Sequence, residues 1–146
     1  MSESNIKRIT DVMTLCKGKV LLVRYKNTNK YDHQKGWFLP DELVLQNEKP
    51  DDTALRILKD QLGIREVTSP VLNHVEKFTG NDKTLHEVYH FLYDVTVIPD
   101  VNISEDVEEE GWFDIEALPD EKDIAHHGWA KYTIEQVLSG LENKEL

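Results

Sequence analysis

Cysteines, long apolar runs and positively charged residues are scarce in this sequence. Cys16 is the single cysteine among 146 residues, which excludes an internal disulfide and predicts a small, buried apolar side chain at that position. No apolar run approaches the roughly 20 residues that a membrane helix needs, and the N-terminal MSESNIKRIT lacks the apolar core of a signal peptide. These scarcities favour a cytoplasmic protein with no membrane partner.

Positive charge is also in short supply, since 17 Lys and Arg face 28 Asp and Glu and give a net charge of −11. Such an excess of acids disfavours long-range attraction to nucleic acid or to an anionic membrane. The distribution is uneven, because residues 1–40 carry eight basic and three acidic side chains, a net of +5. Either this is ordinary solvated surface, or a basic sheet edge faces an anionic ligand while the acidic remainder holds cations.

The pattern along the chain predicts one domain, residues 1–146, without repeats or linkers. Its β-rich runs predict strands, and apolar residues at helical spacing predict helices. In order, the predicted elements are a hairpin of Ile9–Cys16 and Lys19–Tyr25, an exposed loop over Lys26–Gly36, extended pieces at Trp37–Pro40 and Leu43–Leu45, a helix over Pro50–Leu62, strands at Glu87–Ile98 and Gly111–Ile115, and a closing helix over Trp129–Leu141. This order predicts an α/β fold, a mixed sheet covered by helices on both faces.

The helix predicted over Pro50–Leu62 has one apolar stripe and one apolar exception. At about 100° per residue its buried stripe consists of four residues, Ala54, Leu55, Leu58 and Leu62. Ile57 lies about 115° from the centre of that stripe, on a face expected to be polar. Positions 57, 60 and 61 are spaced so that their side chains converge, and three carboxylates there would bind a divalent cation.

The segment Gly36–Ile64, GWFLPDELVLQNEKPDDTALRILKDQLGI, resembles the box of the Nudix hydrolase superfamily. That box reads G-x5-E-x7-R-E-U-x-E-E-x-G-U, where U is a bulky aliphatic residue, and W-x-L-P-G often precedes it. The matching positions are Trp37, Leu39, Pro40, Glu48, Arg56, Leu58, Gly63 and Ile64. The resemblance extends over roughly residues 8–140 and implies a Nudix-type α/β/α sandwich with a mixed central β-sheet.

The sequence departs from the box at the positions that carry the family's chemistry. Glu42 replaces the box glycine, and Ile57, Asp60 and Gln61 stand where R-E-U-x-E-E has its three glutamates. Isoleucine has no ligand atom, and the glutamine amide offers only a neutral oxygen. Asp60 is the one charged metal ligand left among the three, so the resemblance implies weak binding of Mg²⁺ or Mn²⁺.

The resemblance also assigns roles to individual residues of this chain. Arg56 and Gly63 would be structural, with Arg56 and Glu48 bracing the loop against the helix. Glu109 belongs to an acidic run before Trp112, where some family members place a catalytic glutamate. The candidate catalytic residues are Glu48, Asp60 and Glu109. The candidate metal ligands are Asp60, Glu48 and Gln61. The candidate substrate-binding residues are Arg24, Trp37 and Glu42.

Other polar residues carry weaker predictions. Asp41, Glu42, Asp106 and Glu108–Glu110 are acids that could replace the missing ligands. His86 and His90 share one strand face but are about 13 Å apart, too far to share an ion, so we expect structural or exposed roles. His126 and His127 are adjacent in a turn, where neighbouring side chains diverge.

Three hypotheses about function follow. The first is a Nudix-fold protein whose catalytic centre has decayed and which binds a nucleotide-like ligand or a partner. The second is an active, divalent-metal-dependent pyrophosphohydrolase with a rearranged ligand set. The third is a protein interaction module, as a monomer or a homodimer, with a vestigial cleft and with exposed apolar residues around Ile57.

Overall fold

The computed structural model describes residues 6–26, 35–80 and 83–145. Its strands are β1 (Ile6–Cys16), β2 (Lys19–Tyr25), β3 (Asp41–Leu43), β4 (Val71–Thr79), β5 (Leu85–Val95) and β6 (Val107–Asp114). Its helices are α1 (Pro50–Arg56), which runs directly into a π-helical turn (Ile57–Gln61), a short 3₁₀ helix (Glu121–Asp123) and α2 (Ala125–Glu145). Most of the predicted loop over Lys26–Gly36 lies outside the described residues.

The predicted hairpin is confirmed, because β1 and β2 pair antiparallel with Cys16 opposite Lys19. Lys17 and Gly18 both have positive φ, 49° and 78°, which is the conformation that closes a two-residue hairpin. The strand order is β4-β5-β1-β2-β6, and β3 also pairs with β1. Since β1 and β5 are parallel and the other pairs are antiparallel, the sheet is mixed, as predicted.

Two apolar cores cover the two faces of this sheet. One holds alternate residues of the central strands, such as Val12 and Leu21, packed against the helix that begins at Pro50. The other holds the intervening residues, such as Met13 and Leu22, packed against α2. Successive strand residues point to opposite faces, so the sheet is covered on both sides. The predicted α/β/α sandwich with a mixed central sheet is confirmed.

Two strand predictions differ from the structure. Strand β4 was not predicted, because most of its side chains are exposed and an edge strand with one neighbour leaves little apolar alternation in the sequence. Strand β6 begins at Val107 instead of Gly111, so the acids Glu108–Glu110 lie within the strand. Backbone pairing with β2 overrides the low strand propensity of glutamate there.

Cys16 is buried and free, as its surroundings in an apolar strand suggested. Within residues 6–26, 35–80 and 83–145, no helix is both long enough and apolar enough to span a bilayer.

Candidate functional site

The box helix is an α-helix for two turns and a π-helix for one. The Leu62 N–H donates to the Ile57 carbonyl at 3.0 Å, five residues back, and the Ile64 N–H donates to the Leu58 carbonyl at 2.9 Å. The second bond, with Gly63 at φ 63°, closes the helix in the manner of a Schellman motif. A Cβ at Gly63 would lie 2.2 Å from the Asn102 carbonyl oxygen, so a larger residue does not fit.

The predicted exposure of Ile57 is wrong. Its exposed fraction is 0%, and it belongs to the same apolar core as Ala54, Leu58 and Leu62. The prediction failed because the buried face is wider than the apolar stripe and includes the polar residues Thr53 and Gln61. The first carboxylate position of the box therefore points into the protein interior. The hypothesis of an interaction surface centred on an exposed Ile57 therefore loses the residue on which it was based.

Gln61 is buried with both of its side-chain polar atoms engaged. Its exposed fraction is 5%. The Tyr25 hydroxyl donates to Gln61 Oε1 at 2.8 Å, and Gln61 Nε2 donates to the Asp41 carbonyl at 3.1 Å. The Asp41 N–H in turn donates to the Tyr25 oxygen at 3.0 Å. The amide thus links the helix, β2 and the box entry, and a metal ion at Oε1 would have to share that oxygen with the tyrosine hydroxyl.

Glu48 forms a brace between the loop and the helix. Its carboxylate accepts hydrogen bonds from the Leu45 N–H at 3.0 Å, the Thr53 hydroxyl at 2.7 Å and Arg56 Nε at 3.1 Å. Arg56 also donates to the Leu43 carbonyl at 2.8 Å. Burial by itself would raise the pKa of Glu48, but these hydrogen bonds outweigh it and lower the pKa to about 2. Both oxygens are directed at protein donors, which suits a structural role.

Asp60 is the one former glutamate position that is exposed. The hydrogen bond to Glu48 raises the pKa of Arg56, with smaller contributions from Glu42 and Asp60, so these charges lie around one guanidinium. A magnesium cluster needs several hard oxygen ligands on this face. The residues present supply a buried hydrocarbon, an engaged amide and one aspartate. They do not fit the ion that the box resemblance implies.

Glu109 and Glu110 lie on opposite faces of β6. Glu109 pairs with Arg24, whose Nη1 is 3.3 Å from Glu109 Oε1, and both side chains are largely exposed. Glu110 is opposite Val23, which faces the box helix. Burial, and then the charge of Asp100, raise the pKa of the Glu110 carboxyl. The acid directed to the helix side is therefore Glu110, whereas Glu109, the residue predicted to be catalytic, lies on the opposite face.

Arg24 and Trp37 meet on the opposite side of the sheet from the box helix. The guanidinium carbon of Arg24 lies 5.7 Å from the centre of the Trp37 ring. Both border a cavity of about 380 Å³ whose lining also includes Lys35 and Lys122. Glu42 lies apart from them in β3, with Oε2 3.9 Å from Arg56 Nη1. The three predicted substrate-binding residues are therefore not brought together.

A larger cavity, of about 440 Å³, lies between the sheet and the start of α2. It reaches the box entry at Asp41, whose backbone bonds to Gln61 and Tyr25. Its walls carry aromatic, imidazole and charged groups, which include Phe38, Phe78, Trp129, His86, His126, Lys7 and Asp11. Apolar and aromatic walls with a few polar groups are typical of small-molecule sites. The side chain of His127 lies outside the described residues.

Comparison with known proteins agrees with the fold. The chain is similar to a MutT NUDIX hydrolase from Burkholderia pseudomallei, at 21% identity over 90% of this chain and 98% of that one, with a TM-score of 0.71. It is also similar to a UDP-X diphosphatase (16% identity, 94% and 64% covered, TM-score 0.72) and to an Ap4A hydrolase from C. elegans (17%, 92% and 98%, 0.65). No curated protein matches by sequence. The model of the NUDIX domain family matches residues 7–136, and the chain therefore belongs to the Nudix family.

Proposed function

We propose that this Nudix protein binds a nucleotide-type ligand and hydrolyses it poorly or not at all. The observation that carries the proposal is the state of the box helix. Ile57 is in the core, and both polar atoms of Gln61 are used by the protein. A divalent ion that neutralises charge on a diphosphate needs anionic oxygens, and Asp60 alone offers them among these three positions.

Ligand binding is supported by the cavity between the sheet and α2. Its volume of about 440 Å³ is in the range of small-molecule pockets. Phe78 and Trp129 line it with ring centroids 5.7 Å apart, and a planar base can stack on such rings. The cavity reaches the box entry at Asp41, whose carbonyl accepts a hydrogen bond from Gln61 of the box helix, and this supports a ligand that extends from the cavity towards that helix.

Two of the solved structures that resemble the chain are named as a UDP-X diphosphatase and an Ap4A hydrolase. We therefore expect a nucleoside diphosphate joined to another group. Cytoplasmic location and a homodimer remain predictions.

The experiment is a panel of nucleoside diphosphates, nucleoside diphosphate sugars and dinucleoside polyphosphates, each with and without Mg²⁺. Thermal stabilisation reports binding, and chromatography of the same samples reports turnover. We expect at least one compound to raise the melting temperature while it stays intact. Trp129→Leu should abolish that shift. Tyr132→Leu removes a neighbouring exposed aromatic that is not among the cavity residues, and it should leave the shift in place.

A panel with no stabilising compound would contradict the proposal, and so would rapid Mg²⁺-dependent turnover. The second result would support an active pyrophosphohydrolase, which the placement of two acids favours. Asp60 is exposed, and Glu110 faces the helix side with a carboxyl pKa raised by burial, as suits a general base. In that case Asp60→Asn and Glu110→Gln would each abolish turnover.

A further inference from the structure

Two histidines and a glutamate converge on the sheet face that α2 covers, away from the box helix. His74 of β4 is directly opposite His90 of β5, and Glu76 is two residues further along β4, on the same face. Glu76 Oε1 lies 3.0 Å from His90 Nε2 and 3.6 Å from His74 Nε2. All three ligand atoms lie within 4.8 Å of one another.

Both imidazole rings are held by oxygen atoms at their other nitrogen. His90 Nδ1 is 2.8 Å from Asp11 Oδ1, and His74 Nδ1 is 2.6 Å from Asn73 Oδ1. An oxygen acceptor at Nδ1 can hold the ring proton there, which leaves the Nε2 lone pair available to a cation. This arrangement of ring, outer oxygen and inward Nε2 is the one that metal-ligating histidines use.

The inner atoms of His90 and Glu76 meet at a short distance without a hydrogen bond between them. His90 is 1% exposed, and its Nε2 and Glu76 Oε1 are buried without a hydrogen bond among the described residues. With the proton on Nδ1, these are two acceptors 3.0 Å apart, which repel each other unless a cation lies between them. A proton between His90 Nε2 and Glu76 Oε1 would relieve this repulsion but would leave His74 unused. A divalent ion would satisfy His74 as well, whose ring centroid is 4.5 Å from that of His90.

We propose that His74, Glu76 and His90 form a transition-metal site of the zinc class. Zinc bonds of about 2.0–2.1 Å in tetrahedral geometry place ligand atoms about 3.3 Å apart. The observed 3.0 and 3.6 Å lie on either side of that value. Two imidazoles with one carboxylate suit zinc, and such a three-residue set leaves a coordination position open for water or a ligand. The site rests on these side chains alone and does not depend on the proposed function.

The site adjoins the large cavity. Asp11, the outer partner of His90, lines that cavity, and so does Trp129, whose ring centroid is 6.2 Å from that of His90. A paramagnetic ion bound at the site should therefore quench Trp129 fluorescence.

The test is titration of the metal-free full chain with Zn²⁺ by calorimetry and with Co²⁺ by absorption and tryptophan fluorescence. We expect one saturable Zn²⁺ per chain, a Co²⁺ spectrum of low coordination number and quenching that Trp129→Phe reduces. Excess Mg²⁺ should not displace either ion, because magnesium prefers oxygen ligands. Displacement by Mg²⁺ would place the ion at carboxylates elsewhere and overturn the assignment.

His74 and Glu76 are partly exposed, so substitutions there should weaken metal binding without unfolding the protein. His74→Gln and Glu76→Gln should each weaken Zn²⁺ binding more than about 100-fold, beyond the 10–100-fold typical of an outer partner. His86→Gln is the matched control, because His86 lies on the same face of β5 as His90 and its Nδ1 bonds to the Thr84 carbonyl. This variant should change the affinity for Zn²⁺ less than about twofold. The proposal fails if the metal-free chain takes up no Zn²⁺, or if His74→Gln binds it as tightly as the parent.

Discussion

Replacing Glu48 by glutamine tests the brace between the box loop and the box helix. The substitution keeps the size and most of the shape of the side chain but removes its charge. In the folded protein the pKa of Glu48 is about 2, against an ordinary value of 4.5. A pKa difference of about 2.5 corresponds to about 3 kcal/mol of stability, and we reduce this to about 2 kcal/mol because 15% of the side chain is exposed.

Because folding lowers the pKa of Glu48, the stability lost in Glu48→Gln should depend on pH in a defined direction. A carboxyl whose pKa is lowered on folding stabilises the protein above its unfolded pKa and loses that contribution as the pH falls towards the folded value. Glu48 should therefore contribute fully at pH 7 and progressively less below about pH 5. The stability difference between the parent and Glu48→Gln should fall by about a third to a half between pH 7 and pH 3.5.

Urea unfolding at several pH values, followed by far-UV circular dichroism, measures this difference. Glu109→Gln is the matched control, because it removes the same charge from an exposed pair with Arg24 and should cost less than about 1 kcal/mol at any pH. A loss for Glu48→Gln that is below about 1 kcal/mol at pH 7, or that does not change with pH, would show that these hydrogen bonds do not stabilise the Glu48 carboxylate.

Three further predictions concern the box helix, each read out as the free energy of unfolding in urea. Ile57→Ala should cost about 2–5 kcal/mol and Ile57→Val about 0.5–1.5 kcal/mol, because the side chain is in the core; values near zero would mean that it is exposed. Tyr25→Phe should cost about 1–3 kcal/mol by leaving Gln61 Oε1 buried without its donor, and a neutral effect would show that the bridge is absent. Gly63→Ala should cost at least about 1–3 kcal/mol, because φ is 63° and the new Cβ would meet Asn102, whereas a gain would contradict that close approach.

The sequence allowed the fold to be predicted where local chemistry and long-range packing agree. The hairpin at Lys17–Gly18 and the end of the box helix at Gly63 both depend on backbone conformations that glycine permits. The fixed spacing of Glu48 and Arg56 likewise carried the family resemblance, and the structure places the two in contact at 3.1 Å.

The sequence-based prediction of exposure was wrong where polar residues are buried together with apolar ones. Ile57 was placed on an exposed face because Thr53 and Gln61, two polar residues, share the buried side of the helix. Gln61 is tolerated there because Tyr25 and Asp41 satisfy its amide, and such partners 20 and 36 residues away are not visible in a local pattern.

The histidine cluster was missed for a related reason. His90 was compared with His86 on its own strand, while its neighbours in space come from β4, a strand that was not predicted. A partial signal was available in the sequence, because His74 and Glu76 are spaced so that they share one face of any strand.

A crystal structure with Mn²⁺ and a non-hydrolysable nucleoside diphosphate analogue, read from the anomalous scattering of manganese, tests most directly whether the box helix still binds metal. We expect the analogue in the cavity beside Trp129 and no cluster of ions against the box helix. Two or more manganese ions coordinated beside Asp60 would contradict the proposed loss of the metal site.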